Sequence, residues 1–118
     1  MGGKVDDLAA KYPKIFTPDF YFECGDGWYN LLDTVCRCIQ NHIDRQPVAD
    51  PVPQVTADQV KEKFGTLRFY VTGGDRTTDG MIESAENLSA HICEVCGNRG
   101  EVRDGSWIRT LCDEHVKG

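Results

Sequence analysis

Cys93-Glu94-Val95-Cys96-Gly97 and Thr110-Leu111-Cys112-Asp113-Glu114-His115 are the two stretches on which the reading of this chain turns. They contain a C-x2-C and a C-x2-H half-site with 15 residues between them. Two residues between donors let the backbone curl so that both side chains reach one ion about 2.3 Å away. The pattern therefore points to a closed site of three thiolates and one imidazole, Cys93, Cys96, Cys112 and His115, holding structural Zn2+. Iron bound by the same donors is the less common alternative. Gly97 follows the first pair, where a tight knuckle favours a residue able to take positive φ. Four protein donors leave no open coordination position, so the ion is expected to hold shape and not to catalyse. A structural ion supplies roughly 10 to 16 kcal/mol of apparent binding energy in small fingers, which explains how a lobe with few apolar residues persists.

Working outward, Glu101-Val102-Arg103 and Ser106 to Leu111 read as two short strands between the half-sites, with turns at Gly100 and Asp104-Gly105. Residues 93–118 are thus expected to form a zinc-ribbon or treble-clef-like lobe. Residues 1–92 are expected to form an α+β core domain. In that core Val5 to Lys11 reads as a short helix ending before Pro13, followed by an aromatic-rich stretch, Ile15, Phe16, Phe20, Tyr21 and Phe22, that should pack on the core. Asp26 is positioned to cap a helix from about Trp28 to Ile43, in which Trp28, Leu32, Val35, Ile39 and Ile43 fall on one face. Gln46 to Val55, with Pro47, Pro51 and Pro53, reads as a linker whose end, Val52 to Val55, is a candidate third strand. A second helix is expected over Asp79 to His91, with Met81, Ile82, Ala85, Leu88 and Ile92 facing inward.

Between linker and second helix lies a hairpin of alternating residues, Val60 to Phe64 and Leu67 to Val71, with Gly65-Thr66 as the expected two-residue turn. That turn sets Lys63 opposite Arg68 and Lys61 opposite Tyr70, and leaves Glu62 on the apolar face, where Arg76 or Arg109 is a candidate partner. Like charges directly opposite one another destabilise a strand pair. Lys61, Lys63, Arg68 and Tyr70 are therefore candidate contacts to an anionic partner, the plainer reading being a solvated face neutralised by the chain's own carboxylates.

The chain has 118 residues, 40% hydrophobic and 27% charged, with 13 Lys plus Arg against 19 Asp plus Glu for a net charge of −6. That balance fits a folded chain and opposes unspecific phosphate binding, which needs a basic surface. No apolar run is long enough for a membrane span, and Met1 to Asp7 has no apolar segment behind Lys4, so neither a membrane partner nor a secretory signal is expected. Six cysteines in a chain expected in the cytoplasm read as metal ligands or thiols and not as disulfides.

Other chemistry is weaker. A second metal on Cys24, Cys36, Cys38 and His42 is opposed by helical geometry, since Cys36 and Cys38 point about 200° apart; Cys38 and His42 are neighbours that Cys24 would have to complete. Cys24, beside a helix N-terminus where thiol pKa falls, would be a nucleophile only with a base, and His42 lies about 20 Å along the helix. Glu23 and Asp26 offer a carboxylate pair, but no catalytic motif appears. No catalytic residue is assigned, and a small enzyme built on Cys24 and Glu23 stays the minor alternative.

Tyr12-Pro13-Lys14-Ile15-Phe16, Cys24-Gly25-Asp26-Gly27-Trp28, Lys61 to Tyr70 and the Cys93 to His115 tail, with Trp107 and Thr110-Leu111-Cys112, resemble a group of small phage- and prophage-encoded zinc-binding proteins without an assigned activity. The similarity spans roughly positions 12 to 116. The resemblance implies a protein made in the bacterial cytoplasm from a mobile element, acting by stoichiometric binding to a host protein or nucleoprotein, defence systems such as CRISPR complexes included. It implies no catalytic residues. The alternative function is a nucleic-acid-binding zinc ribbon, with Arg99, Arg103 and Arg109 joining the hairpin cations on phosphate.

Overall fold

The computed structural model describes residues 3–117. A 3-10 turn, Val5–Asp7, leads into α1 (Leu8–Lys11), then β1 (Phe22–Glu23), and a second 3-10 turn (Asp26–Trp28) leads into α2 (Tyr29–Asp44). β2 (Thr56–Lys63), β3 (Thr66–Thr72) and α3 (Arg76–Ser89) complete the core, and β4 (Glu101–Arg103), β5 (Arg109–Leu111) and a 3-10 turn at His115–Lys117 build the C-terminal lobe. One sheet has the order β1-β2-β3 and the other is the β4-β5 hairpin. The class is α+β, with a ribbon-like Cys/His lobe. No helix among the described residues is long and apolar enough to cross a membrane.

The helix stripe forms the core as its spacing implies. Trp28, Leu32, Val35, Cys36 and Ile39 are buried against Val60, Leu67 and Phe69 of the sheet and Ile82 and Ala85 of α3. Phe16 anchors the N-terminal aromatics, lying 5.0 Å from both Phe20 and Phe22 and stacking on Phe69 at 6.3 Å between ring centroids. Tyr21, between them, is exposed.

Several local expectations need correction. The third strand is β1, which pairs parallel to β2 (Phe22↔Val60, Glu23↔Lys61); Val52 to Val55 is not a strand, because Pro51 and Pro53 have no N–H to give a ladder. The hairpin turn is Phe64-Gly65 and not Gly65-Thr66. Both turn residues have positive φ, 53° and 88°, as a type I′ turn demands. The register is consequently Lys61↔Arg68, Glu62↔Leu67 and Lys63↔Thr66, so the facing like charges are Lys61 and Arg68. Phe64 is a bulky residue in the left-handed region, and it stands 67% exposed at the turn.

Asp26 does not cap α2. Its Oδ1 accepts from the Val5 N–H at 3.0 Å, tying the N-terminal segment to the core. α3 begins at Arg76, earlier than expected, because Asp75 and Thr78 form a reciprocal capping box. Its inward residues are Thr78, Ile82, Ala85 and Ser89, while Leu88 is exposed. The buried Ser89 hydroxyl accepts from the Leu67 N–H and Glu86 accepts from the Phe69 N–H, both at 2.9 Å. α3 thereby satisfies outward-pointing donors of the β3 edge, which would otherwise invite strand addition.

Candidate metal centre

Cys93, Cys96, Cys112 and His115 converge, with all four donor atoms within 4.8 Å of one another. The Cys96 and Cys112 sulfurs lie 3.8 Å apart; Nδ1 of His115 lies 3.2 Å from the Cys112 sulfur and 3.7 Å from that of Cys93. Bonds of about 2.3 Å to sulfur and 2.0 Å to nitrogen at tetrahedral angles separate two sulfurs by about 3.8 Å and a sulfur from a nitrogen by about 3.5 Å. Spacing and donor chemistry therefore both fit a tetrahedral ion. The four residues can hold a metal ion.

The knuckle is built by backbone. Gly97, at φ 84°, donates to the Cys93 carbonyl at 2.9 Å, and Cys93 N–H donates to the Asn98 carbonyl at 2.7 Å. Burial by itself raises the Cys93 thiol, but N–H groups of Cys112, Cys96 and Val95 aim at its sulfur and bring it down to about 6. The His115 N–H, ahead of the other causes, lowers the Cys112 thiol. Hydrogen bonds to the sulfurs of Cys112 and then Cys93 raise the His115 imidazole. Thiolate is thus favoured at Cys93 and Cys112, as a ligand requires.

The core holds this knuckle through Cys24-Gly25-Asp26-Gly27-Trp28. Gly27 N–H donates to the Glu94 carbonyl at 2.8 Å, Gly25 N–H to the Glu94 carboxylate at 2.8 Å, and the Trp28 indole N–H to the Ile92 carbonyl at 2.9 Å. A Cβ at Gly27 would sit 2.2 Å from the Cys93 carbonyl oxygen, and one at Gly25 would sit 2.5 Å from that of Glu94. Only glycine fits so close to another backbone at these two positions. The hairpin turn supplies a second attachment, because the buried Thr110 hydroxyl donates to the Gly65 carbonyl at 2.6 Å. Glu94 and Thr110 are structural partners of the site that spacing alone does not single out.

Glu94 is 6% exposed, and its carboxyl is pushed up by burial against the Gly25 N–H and Arg109, which pull it down. Arg109 lies 3.7 Å from it. Glu62 does not take the ion pair with Arg76 or Arg109 that was expected; among the described residues its carboxylate accepts from Gly65 N–H at 2.7 Å.

Lys61, Lys63, Arg68 and Tyr70 share the sheet face opposite to Val60 and Phe69. Arg68 donates to Thr66, and among the described residues no carboxylate lies within 4 Å of Lys61, Lys63 or Arg68. In the lobe, Arg103 is occupied by the Leu111 carbonyl and Asp113, and Arg109 by Glu94.

Cys24, Cys36, Cys38 and His42 do not come together. His42 instead bonds Asp75 at 2.9 Å, bracing the α3 cap. Cys24 packs against the core, and burial, followed by the Glu94 charge, pushes its thiol up to about 12, the reverse of a helix-activated nucleophile.

No protein-family model, curated protein or solved structure matches this chain. Fold and donor set together define a small α+β protein carrying a Cys3His cluster able to hold a metal ion.

Proposed function

We propose that the cluster holds zinc and that the chain is a non-catalytic binding protein of a phage or prophage, acting stoichiometrically in the cytoplasm of a bacterial host. Its target is a host protein or nucleoprotein, defence complexes of the CRISPR type included. The observation that carries this reading is the junction between knuckle and hairpin. Thr110 bonds Gly65, Glu94 bonds Gly25 and Gly27, and the turn and lobe are thereby fixed as one plate. A plate already rigid loses little entropy when it docks. It displays exposed Phe64, an aromatic residue of the kind enriched at interfaces, beside the hairpin cation Lys63.

Zinc in this role follows from the donors: three soft thiolates and an imidazole in tetrahedral spacing suit it, and four protein donors exclude substrate from the ion. The nucleic-acid reading is weaker, because two of its three lobe arginines are already engaged within the lobe and the net charge is −6.

Affinity capture from a bacterial host tests the proposal. The native chain should retain one host component at defined stoichiometry, and the double substitution Lys61→Glu with Arg68→Glu should lose it while the fold and metal are retained. Retention that is unchanged by the double substitution would remove the hairpin face from the interface. A gel shift at about 50 mM salt that weakens steeply with added salt would favour the nucleic-acid alternative.

A further inference from the structure

Beside the metal centre, on the hairpin face opposite to Lys61 and Arg68, lies an open cleft of about 430 Å³ lined by Glu62, Glu94, Trp107 and Arg109. We infer that this cleft takes the guanidinium or ammonium group of a basic side chain presented by a protein partner, a step that rests on the partner's being a protein.

Charge is the first argument. Two carboxylates face one guanidinium, so the lining carries a net −1 when all three are ionised. Arg109 serves Glu94 only at 3.7 Å, longer than a hydrogen bond, and no cation lies within 4 Å of Glu62 among the described residues. Glu94 adds an independent observation. It is more than nine-tenths buried yet lines the cleft; one carboxylate oxygen accepts from Gly25 N–H, and the other has no hydrogen bond from any described residue. That second oxygen, paired only at 3.7 Å with Arg109 and facing the cleft, is free to accept a charge-assisted hydrogen bond from an incoming cationic donor.

Shape and surface are the second argument. Trp107, in the loop between β4 and β5, is 75% exposed although it is a large aromatic residue. An indole beside carboxylates is the combination that attracts an organic cation, the ring through its negative face and the carboxylates through charge-assisted bonds. A planar guanidinium uses both. An anionic ligand is disfavoured by the same lining, and the chain's net charge of −6 steers basic surfaces toward it. The cleft is also held in place before binding: Glu62 is bonded to Gly65 N–H, Glu94 to Gly25, and Arg109 belongs to β5.

The test is titration of the full metal-loaded chain with N-acetyl-arginine methylamide, followed by NMR at the indole N–H of Trp107 and the side-chain N–H of Arg109. Trp28, fully buried and bonded to Ile92, is the internal control. Saturable shifts at Trp107 and Arg109 with Trp28 unmoved are expected. The neutral isostere N-acetyl-citrulline methylamide should bind about tenfold more weakly, and Glu62→Gln should weaken the arginine probe by about fivefold to tenfold, the effect of one charge-assisted bond. Glu62→Gln keeps an acceptor for Gly65, and Lys61→Ala, on the other face, should leave the probe's affinity unchanged. Equal binding of the two probes, saturation by guanosine in preference to arginine, or no shift at all would each overturn the inference. The titration needs no host partner, so its outcome is separable from that of the affinity capture.

Discussion

Gly27→Ala is the substitution that most sharply probes how the lobe is held. The added methyl would lie 2.2 Å from the Cys93 carbonyl oxygen and 2.5 Å from the carbonyl carbon and oxygen of Glu94. All three are backbone atoms of the knuckle, so no side chain can swing aside. The knuckle and the Cys24 to Trp28 segment must separate, which strains the bonds from Gly27, Gly25 and Trp28 to Glu94 and Ile92. Two or three lost hydrogen bonds at about 1 kcal/mol each, with an overpacking cost of about 1 to 3 kcal/mol, give a destabilisation of about 3 to 6 kcal/mol. In a domain of this size that is a fall of roughly 15 °C in the unfolding midpoint. Gly80→Ala is the matched control: the residue is exposed within α3 and its new Cβ meets nothing within 4 Å. It should stabilise by about 0.5 to 1 kcal/mol, because alanine loses less backbone entropy in a helix. Thermal and urea unfolding of the two metal-loaded variants should therefore move in opposite directions. A Gly27→Ala protein within 1 kcal/mol of the native chain would refute the close-approach reasoning.

Further outcomes follow from single contacts. Thr110→Val removes the buried donor to Gly65 and should cost about 1 to 3 kcal/mol, read by urea unfolding, with faster amide exchange at the Phe64-Gly65 turn. The Asp75 carboxyl is held below its ordinary range by His42 first and then by the Thr78 N–H. A depressed carboxyl contributes stability above the unfolded value of about 4 and loses it as pH falls through the lower folded value; urea midpoints between pH 7 and 3 should fall less steeply in Asp75→Asn, which still caps the helix. Burial drives the Cys24 and Cys36 thiols upward, whereas Cys38 is exposed. Iodoacetamide should modify Cys38 first in the metal-loaded chain, by mass spectrometry, and prior labelling of Cys24 would restore the nucleophile reading.

The donor set was legible in the sequence because metal geometry constrains spacing locally: Cys93 and Cys96, and Cys112 and His115, need only a curl of two residues each. The α2 stripe was legible for the same reason, a short period repeated over four turns. What escaped was set by distant partners. Nothing in Phe22–Glu23 announces a strand, since two residues carry no periodicity and their ladder depends on β2, more than thirty positions away. Phe64 conceals the turn because a bulky residue is an unusual occupant of a left-handed position, held here with Gly65 bonded to both Glu62 and Thr110. The α3 start was missed because Thr78 stands where a capping box more often has Glu or Gln. Gly25 and Gly27 read as turn residues, and their closeness to Glu94 appears only once the lobe folds back on them.

Cobalt substitution tests the central claim most directly. One Co2+ per chain is expected, with the intense visible absorption of a tetrahedral thiolate complex, displaced by one equivalent of Zn2+ and weakened in Cys112→Ser. No stoichiometric metal, or the weak spectrum of an octahedral ion on oxygen ligands, would contradict it.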